Sequence, residues 1–444
     1  MGAAIYVNPL LGKVLAISGV TLVLLMPLER LENLVGERAG MRELASQKVA
    51  EGWSGPQTVG APILSVTVET EFEERGRKFR TRAIHRMLAA NAEIRGEIRP
   101  QLRHVGIHRV PVYEALLQIS GIFSPDAVAP LLTPDPQRTV LWSTARLFIP
   151  IGEVRGIREM TAVRWRDRQL QLQPAKYDGI TGVAAEVDAS RLRDGETGES
   201  RFEFTLAGSS SLRAFPLART TNVRLKSSWQ HPSFDGAFLP SYTLDEQGFQ
   251  ARWQVLELNH GFPQSWEDNT VRRDAIESAA LGVNLFQPVD AYQRNERASK
   301  YALLFISLTF MSVFLWEQVS GARIHAMQYL FVGFALCVFY LLLLALSEHV
   351  PFGYAYLIAA VTQAALVGIY MGSGLKNGWI GLIVSSVLSA VLGLLYLLIL
   401  SEQYSLLLGA VFVFAVLAAL MLATRRTDWY AVSGRAKQAV ASED

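Results

Sequence analysis

The sequence predicts a polytopic α-helical membrane protein with six spans, arranged one plus five. A large β-rich, sandwich-like domain lies between spans 1 and 2 and would be periplasmic in a bacterium. The chain has 444 residues, of which 50% are hydrophobic and only 18% charged, so it is more apolar than an ordinary soluble protein. The apolar excess is concentrated in residues 301–424, whereas residues 29–300 have the charge density and turn residues of a water-soluble domain.

Five apolar runs in the last third of the chain have about the 20 residues that a helix needs to cross about 30 Å of hydrocarbon. They are Tyr301–Trp316, Met327–Leu346, Phe352–Met371, Trp379–Leu400 and Tyr404–Ala423. Backbone polar groups cannot stay unpaired in lipid, so runs of this length must be helical. We therefore predict a five-helix transmembrane bundle over residues 301–424.

The first span is predicted at Val14–Leu28, within a cytoplasmic N-terminus and anchor assigned to residues 1–28. A cleaved signal peptide is the alternative, because its apolar core has a similar length. However, no small-x-small cleavage site follows, and the segment LERLENLVGERAGMREL continues directly with an amphipathic pattern. These features favour an uncleaved anchor that continues as an amphipathic helix.

The basic residues in the loops orient the spans, because Lys and Arg concentrate on the cytoplasmic side of short loops. Arg323, Lys376 and Arg425 follow alternate spans, whereas the intervening loops SEHVP and SEQ contain neither Lys nor Arg. One topology agrees with every loop. It places both termini, including a tail at residues 425–444, in the cytoplasm and residues 29–300 outside.

The external segment of about 270 residues is long enough to form its own core. Period-2 alternation recurs through it, as in ILSVTVETEFEE and FQARWQVLEL, and alternation of this kind is typical of half-buried strands. Many short strands with few convincing helices predict an antiparallel β-sandwich or two stacked sandwiches. The Pro-rich segment SPDAVAPLLTPDPQ indicates a subdivision of the domain near residues 125–138.

Composition and motifs exclude several function classes. The formal net charge is only +2, so no overall field attracts nucleic acid. Cys337 is the single cysteine, which excludes an intramolecular disulfide and a multi-cysteine metal site. None of the common hydrolase, phosphate-binding or dinucleotide-binding motifs is present. The SxxK match at Ser373–Lys376 lies in a short loop without partner motifs, and His104 and His108 lie in a predicted strand without a third ligand. We predict no catalytic residue, metal or cofactor.

The segment WQHPSFDGAFLP, Trp229–Pro240, is the most unusual stretch of the external domain. It combines aromatic residues, prolines and an Asp-Gly step without any secondary-structure period, so we predict a loop held by aromatic packing. Two interpretations are open. The segment either contacts a ligand or partner, through the aromatic residues Trp229 and Phe234 and the polar residues His231 and Asp235, or it is a structural corner that closes the sandwich.

Glu348 and His349 interrupt an aliphatic run at the predicted outer end of the third span. They end the helix before Pro351, at a depth where carrying charge costs little. One hypothesis is that they dock against the underside of the external domain or against its WQHPSF segment. Another makes Glu348 a general acid or base with His349 as its partner. Adjacent helical residues point about 100° apart, so this pair requires the helix to end between them.

A stripe of small residues recurs every four positions in the fifth span, at Gly381, Ser385, Ser389 and Gly393. Such a stripe allows another helix to approach closely. The pattern predicts packing against another span of the same chain, and a homo-oligomer is the alternative.

Several segments, taken together and in order along nearly the whole chain, resemble the CreD family of inner-membrane proteins. They are SGPQTVGAPIL, VRGI, SSWQHPSF with GAFLP, GFQARWQV, KYALLFISLTFMSVFLWE, MQYLFVGFALCVFYLLLLALSEH and RRTDWYA. The resemblance implies a Gram-negative inner-membrane protein with the same one-plus-five layout. It also implies a role in cell-envelope integrity or stress response. It supplies no catalytic residues.

The leading functional prediction is therefore a non-enzymatic envelope protein in the lipid bilayer that binds an envelope protein or glycan through its external domain. The alternative is a membrane-associated enzyme or carrier that acts on lipid or glycan precursors at the periplasmic face. A sensor is disfavoured, since the short tail contains no signalling domain. Transport is also disfavoured, since no charged residue lies near the midplane of the spans, where a transporter would bind ions.

Overall fold

The computed structural model describes residues 9–74, 77–106, 108–133, 135–267, 270–271, 273–285, 291–320, 324–401 and 405–425. The chain divides into two compact units. The first, which we call the helical unit, comprises Met1–Met41 and Val289–Asp444; the second, the β unit, is Arg42–Pro288. The predicted boundaries at residues 29 and 300 thus fall within the helical unit. Apart from Arg425, the predicted tail at residues 425–444 lies outside the described residues.

Six long helices follow the six predicted spans in order. They are α1 Pro9–Gly52, α2 Ala291–Ser320, α3 Ala326–Ser347, α4 Phe352–Gly374, α5 Gly378–Leu400 and α6 Ser405–Thr424. Within the described residues, five of them, α1 to α5, are long and apolar enough to cross a membrane. The protein is therefore polytopic. Helix α6 coincides with the last predicted span, and its crossing of the membrane stays a prediction.

Helix α1 is one continuous helix that includes both the apolar run and the amphipathic segment, with Pro27 inside it. Leu24, Leu28 and Leu31 on α1 belong to the core of the helical unit, and the retention of α1 as an uncleaved anchor stays a prediction. Gly333 on α3 makes this packing close, because a Cβ there would lie 2.3 Å from Cδ1 of Leu24. In lipid no hydrophobic effect drives helices together, so they associate through close packing. A small residue at the crossing allows this close packing.

The β unit contains seventeen strands in its described residues. They are β1 Gln57–Gly60, β2 Ile63–Glu74, β3 Arg77–Val105, β4 His108–Phe123, β5 Arg138–Pro150, β6 Ile157–Trp165, β7 Arg168–Gln169, β8 Gln173–Tyr177, β9 Ile180–Val187, β10 Gly198–Ser209, β11 Ser211–Phe215, β12 Ala218–Ser227, β13 Pro232–Gly236, β14 Ser241–Asp245, β15 Gly248–Leu256, β16 Ser265–Glu267 and β17 Leu281–Leu285. Two short helices, Ser190–Arg193 and Arg273–Ser278, accompany them.

The strands form a sheet of thirteen strands and a sheet of four. The large sheet has the path β7-β6-β10-β4-β3-β2-β5-β9-β8, from which β12, β15, β14 and β16 branch, and the small sheet has the order β1-β11-β17-β13. Strand β3, with 29 residues, is central. Its first half pairs with β2, and its second half pairs with β4 on one side and β12 on the other. Two strand arrays are thus joined through one long strand.

The alternation seen in the sequence separates a buried face from an exposed face. On β10, for example, Phe202 and Phe204 are buried, whereas Glu203 between them is half-buried. Gly96 on β3 shows how tightly the buried face is filled, since a Cβ there would lie 2.7 Å from Cδ2 of Leu225. Apolar burial of this kind is the main stabilising term for the unit.

The structure differs from the sequence-based prediction in two respects. The pairs β1–β11 and β3–β12 are parallel, although an antiparallel domain is predicted. Strands from both sides of the Pro-rich segment also lie in the large sheet, because β5 pairs with β2 and β10 pairs with β4. Residues 42–288 form one unit with no division near 125–138. Period-2 patterns identify strands but not their partners, and the sandwich description stays a prediction.

Candidate functional site

The predicted loop Trp229–Pro240 contains a strand, so the prediction of an irregular loop is wrong for its centre. Residues Pro232–Gly236 form β13, which pairs antiparallel with β17 at the edge of the small sheet. Pro232 is tolerated because it is the first residue of an edge strand. Gly236 has φ +105°, and a Cβ there would lie 2.2 Å from the carbonyl oxygen of Ala280. The strand therefore ends at the only residue type that fits.

Phe234 holds this segment against the large sheet. Its ring contacts those of Tyr242, Phe249 and Trp253 at centroid distances of 4.8, 5.6 and 5.8 Å. The indole Nε1 of Trp253 donates a hydrogen bond to the carbonyl oxygen of Phe238 at 3.0 Å. These contacts are those of a packed corner, in which the aromatic rings serve stability.

Some polar groups of the segment form hydrogen bonds within the protein, and one side chain is exposed to solvent. Asp235 accepts a hydrogen bond from Nη2 of Arg213 at 2.5 Å, and both residues stand opposite Gly282 on the intervening strand β17. Trp229 is half-buried and donates from Nε1 to the carbonyl oxygen of His231 at 3.1 Å. The side chain of His231 is exposed. Of the four predicted contact residues here, His231 is exposed and the other three are half-buried.

An exposed apolar edge begins near the end of the segment and continues along β14. Leu239 is 77% exposed, and Tyr242 and Leu244 on β14 are 56% and 50% exposed. Strand β14 pairs only with β15 in the described sheet, so its other edge presents unpaired backbone groups. The sequence signal for this edge is the alternation in SYTLDEQG, a short strand before a turn, which the sequence analysis did not single out.

Glu348 and His349 point into different surroundings. The carboxylate of Glu348 accepts a hydrogen bond from the hydroxyl of Tyr292 at 3.2 Å and lies 3.8 Å from Nε of Arg38. It therefore links α3 to α2 and α1 within the helical unit. His349 is exposed, and its backbone N–H donates to the carbonyl oxygen of Leu346. The structure shows no hydrogen bond between the two side chains in its described part, so this geometry lends no support to a reactive pair.

The comparisons with known proteins agree with the apolar helices of the helical unit. The family model described as "Inner membrane protein CreD" matches residues 9–430. The chain belongs to the CreD family. It is 32% identical over 445 residues to the "Inner membrane protein CreD" of Escherichia coli (strain K12), which covers 96% of this chain and 95% of that relative. A multi-pass protein of the inner membrane is the consistent description.

The CreD-family chain contains a buried ionic cluster that the sequence analysis did not identify. Glu317 on α2 is buried. Its carboxylate accepts from Nζ of Lys13 on α1, from the backbone N–H of Ile324 at 2.9 Å and from the hydroxyl of Tyr329 at 3.0 Å. Four segments thus meet at one carboxylate. Lys13 just before the first apolar run was the available signal.

The small-residue stripe of α5 divides into two halves. Gly381 and Ser385 face α4, where a Cβ on Gly368 would lie 2.8 Å from Cβ of Ser385 and 2.9 Å from the carbonyl oxygen of Gly381. Ser389 is exposed, and the Cβ position of Gly393 has no atom within 4 Å. Packing against another span of the same chain therefore accounts for the first half only.

The residues weighed as metal ligands or nucleophiles remain isolated. His104 is exposed on β3, and the side chain of His108 lies outside the described residues. Ser373 and Lys376 are joined only through a backbone turn, in which the N–H of Lys376 donates to the carbonyl oxygen of Ser373. No group of three or more His, Cys, Asp or Glu residues in the described ranges could hold a metal ion.

Proposed function

We propose that this CreD-family protein is a non-enzymatic inner-membrane scaffold that presents its β unit to the periplasm, where the unit binds a protein of the envelope. Both termini are then cytoplasmic, as the loop charges predict. In this role the protein supports envelope integrity. The observation that carries the proposal is the edge made by β14.

Two properties of this edge support a polypeptide partner. Strand β14 offers an unpaired row of backbone donors and acceptors, to which an extended segment can add as a further strand. Tyr242 and Leu244 stand opposite the buried residues Ala251 and Phe249 on β15. Their side chains therefore lie on the core-facing side of the sheet but remain exposed. An added strand would bury them, and exposed apolar groups of this kind commonly mark interaction sites.

A crosslinking experiment tests this function. A photo-crosslinking residue at Leu239 or Tyr242 is expected to capture an envelope protein in living cells. The control is the same residue at Gln169 on β7, an exposed position at the end of the large sheet's path, where we expect no adduct of the same mass. Equal labelling at both positions, or labelling by lipid alone, would contradict the proposal.

A paired variant links the edge to the cellular role. Tyr242→Lys with Leu244→Lys places charge on the edge and is expected to abolish the adduct formed from a crosslinking residue at Leu239 and to raise cell sensitivity to detergent. The matched control is Leu258→Lys, at a leucine that is 93% exposed. Full resistance in the paired variant at equal protein level, or in a chain without residues 42–288, would sink the idea that the β unit carries the function.

A further inference from the structure

The exposed face of the large sheet carries three arginines in one row. Arg95 on β3 stands opposite Arg224 on β12, and Arg224 stands opposite Arg252 on β15. All three side chains are exposed. Adjacent strands lie about 4.8 Å apart, so three guanidinium groups occupy a line of roughly 10 Å. Like charges directly opposite each other destabilise a sheet, so the row has an energetic cost unless an anion compensates it.

The carboxylates of the protein compensate the row only in part. Glu93 binds Arg95 through two contacts of 2.8 Å, and the same carboxylate lies 3.7 Å from Nε of Arg224. One carboxylate is thus shared by two guanidinium groups. Arg252 has no ion pair within the described residues.

A second shared carboxylate lies two residues further along β3. Glu97 lies 2.7 Å from Nζ of Lys226 and 3.2 Å from Nε of Arg99. The pKa of Glu97 is lowered, chiefly by its hydrogen bond to Lys226 and next by that to Arg99. Four cations, Arg95, Arg224, Lys226 and Arg252, stand against the two carboxylates, which leaves an excess of two positive charges. Arg99 also stands opposite Glu114 on β4.

Five of these charged groups line a groove with a cavity volume of about 350 Å³, which is within the range of small-ligand sites. Its charged lining comprises Arg95, Glu97, Arg224, Lys226 and Arg252. Gln118 and Gln250 add amide groups, and Leu116 gives the floor an apolar spot. The groove therefore combines an excess of cationic groups, three of them guanidinium groups, with neutral amide groups that form hydrogen bonds.

We propose that this groove binds a soluble ligand that carries two adjacent phosphate groups, a diphosphate ester. Guanidinium groups bind phosphate oxygens through paired hydrogen bonds. One phosphate would bridge Arg95 and Arg224 and the other Arg224 and Arg252. Two phosphates that share one bridging oxygen lie closer together than the strand spacing of roughly 5 Å, so the long arginine side chains would converge on them from the three strands. A diphosphate also supplies the negative charge that the two carboxylates leave missing.

This site is separate from the partner edge proposed above. Ser241 and Thr243 on β14 stand opposite Arg252 and Gln250, whereas Tyr242 and Leu244 stand opposite buried residues. Alternate residues of a strand point to opposite faces, so the groove and the apolar side chains of the edge occupy different faces. Failure of one proposal therefore leaves the other standing.

The test is a titration of the full chain in nanodiscs of zwitterionic lipid with inorganic pyrophosphate, followed by calorimetry at physiological salt. We expect saturable binding to the native chain and an affinity reduced by about tenfold or more in Arg224→Gln with Arg252→Gln, because each charged hydrogen bond contributes substantially. The matched control is Arg164→Gln, an exposed arginine on β6, which should change affinity by less than about twofold. Undetectable binding, or equal binding by the paired variant, would overturn the proposal.

Two further arms identify the chemistry. Citrate, which has a similar charge without phosphorus, and glycerol 3-phosphate, which represents a lipid headgroup, should each bind several-fold more weakly than pyrophosphate. Equal binding of citrate overturns the choice of phosphate, and equal binding of glycerol 3-phosphate overturns the diphosphate in favour of a headgroup. Thermal unfolding gives an independent readout, since pyrophosphate should raise the Tm of the native chain and of the Arg164→Gln control but not that of the paired variant.

Discussion

In the helical unit the carboxylate of Glu317 is buried and receives donors from Lys13, Ile324 and Tyr329. In the β unit the carboxylates of Glu93 and Glu97 lie on an open sheet face, and each is shared by two cations. A charge buried away from water is costly unless its partners are complete, whereas water and salt compensate an exposed charge. The exposed cations of the β unit can therefore remain incompletely paired, and their positive charge stays available to an anionic ligand.

The largest effect is expected when the buried carboxylate is removed. Glu317→Gln removes the negative charge beside Lys13 and replaces one of the two acceptor oxygens with an amide donor, and we expect a loss of about 3 kcal/mol in stability, as for other broken buried pairs. The measurement is thermal unfolding of the full chain in detergent. Glu296→Gln is the control, because Glu296 is an exposed partner of Lys300 on the same helix and should cost less than about 0.5 kcal/mol. Similar losses in both variants would show that burial does not distinguish the two carboxylates.

The second effect concerns close packing in the helical unit. Gly381→Ala places a Cβ 2.5 Å from the carbonyl oxygen of Gly368, so we expect a loss of about 1–3 kcal/mol from overpacking. Gly393→Ala, on the same helix but with no neighbour at its Cβ position, should be neutral or slightly stabilising, since Ala is the better helix former. The same unfolding assay compares them. A stable Gly381→Ala variant would mean that α4 and α5 are not in close contact.

The smallest effect is a pH dependence in the β unit. His85 is buried on β3, and burial lowers its pKa below 6.5, with Arg138 adding to the shift and Glu267 opposing it. The unfolded chain therefore binds a proton first as the pH falls. Stability is unaffected well above pH 6.5, declines below it and levels off beneath the folded-state pKa. His85→Leu should remove this pH dependence, whereas His231→Leu, at an exposed histidine, should retain it. The measurement is the unfolding midpoint of each variant between about pH 8 and pH 5.

The residues of the candidate sites differ in how far sequence could locate them. Glu348 was identified because a charge interrupts an apolar run, which is a local signal. Its contacts with Tyr292 and Arg38 were not predictable, since they depend on how α1 and α2 pack on α3. Likewise, the aromatic packing of the Trp229–Pro240 segment followed from composition. Its edge strand and the Arg213 partner of Asp235 depended on pairing with β17.

The sequence by itself determined the helices of the membrane part and the strand content of the β unit. Long apolar runs must be helical in lipid, and period-2 alternation must place one face of a strand inward, so both follow from local physical chemistry. Only the tertiary structure decided which distant residues meet. Arg95, Arg224 and Arg252 are aligned through the register of β3, β12 and β15, and Lys13 reaches Glu317 through helix packing. Register and packing depend on the complementary faces of whole elements, which no local pattern contains.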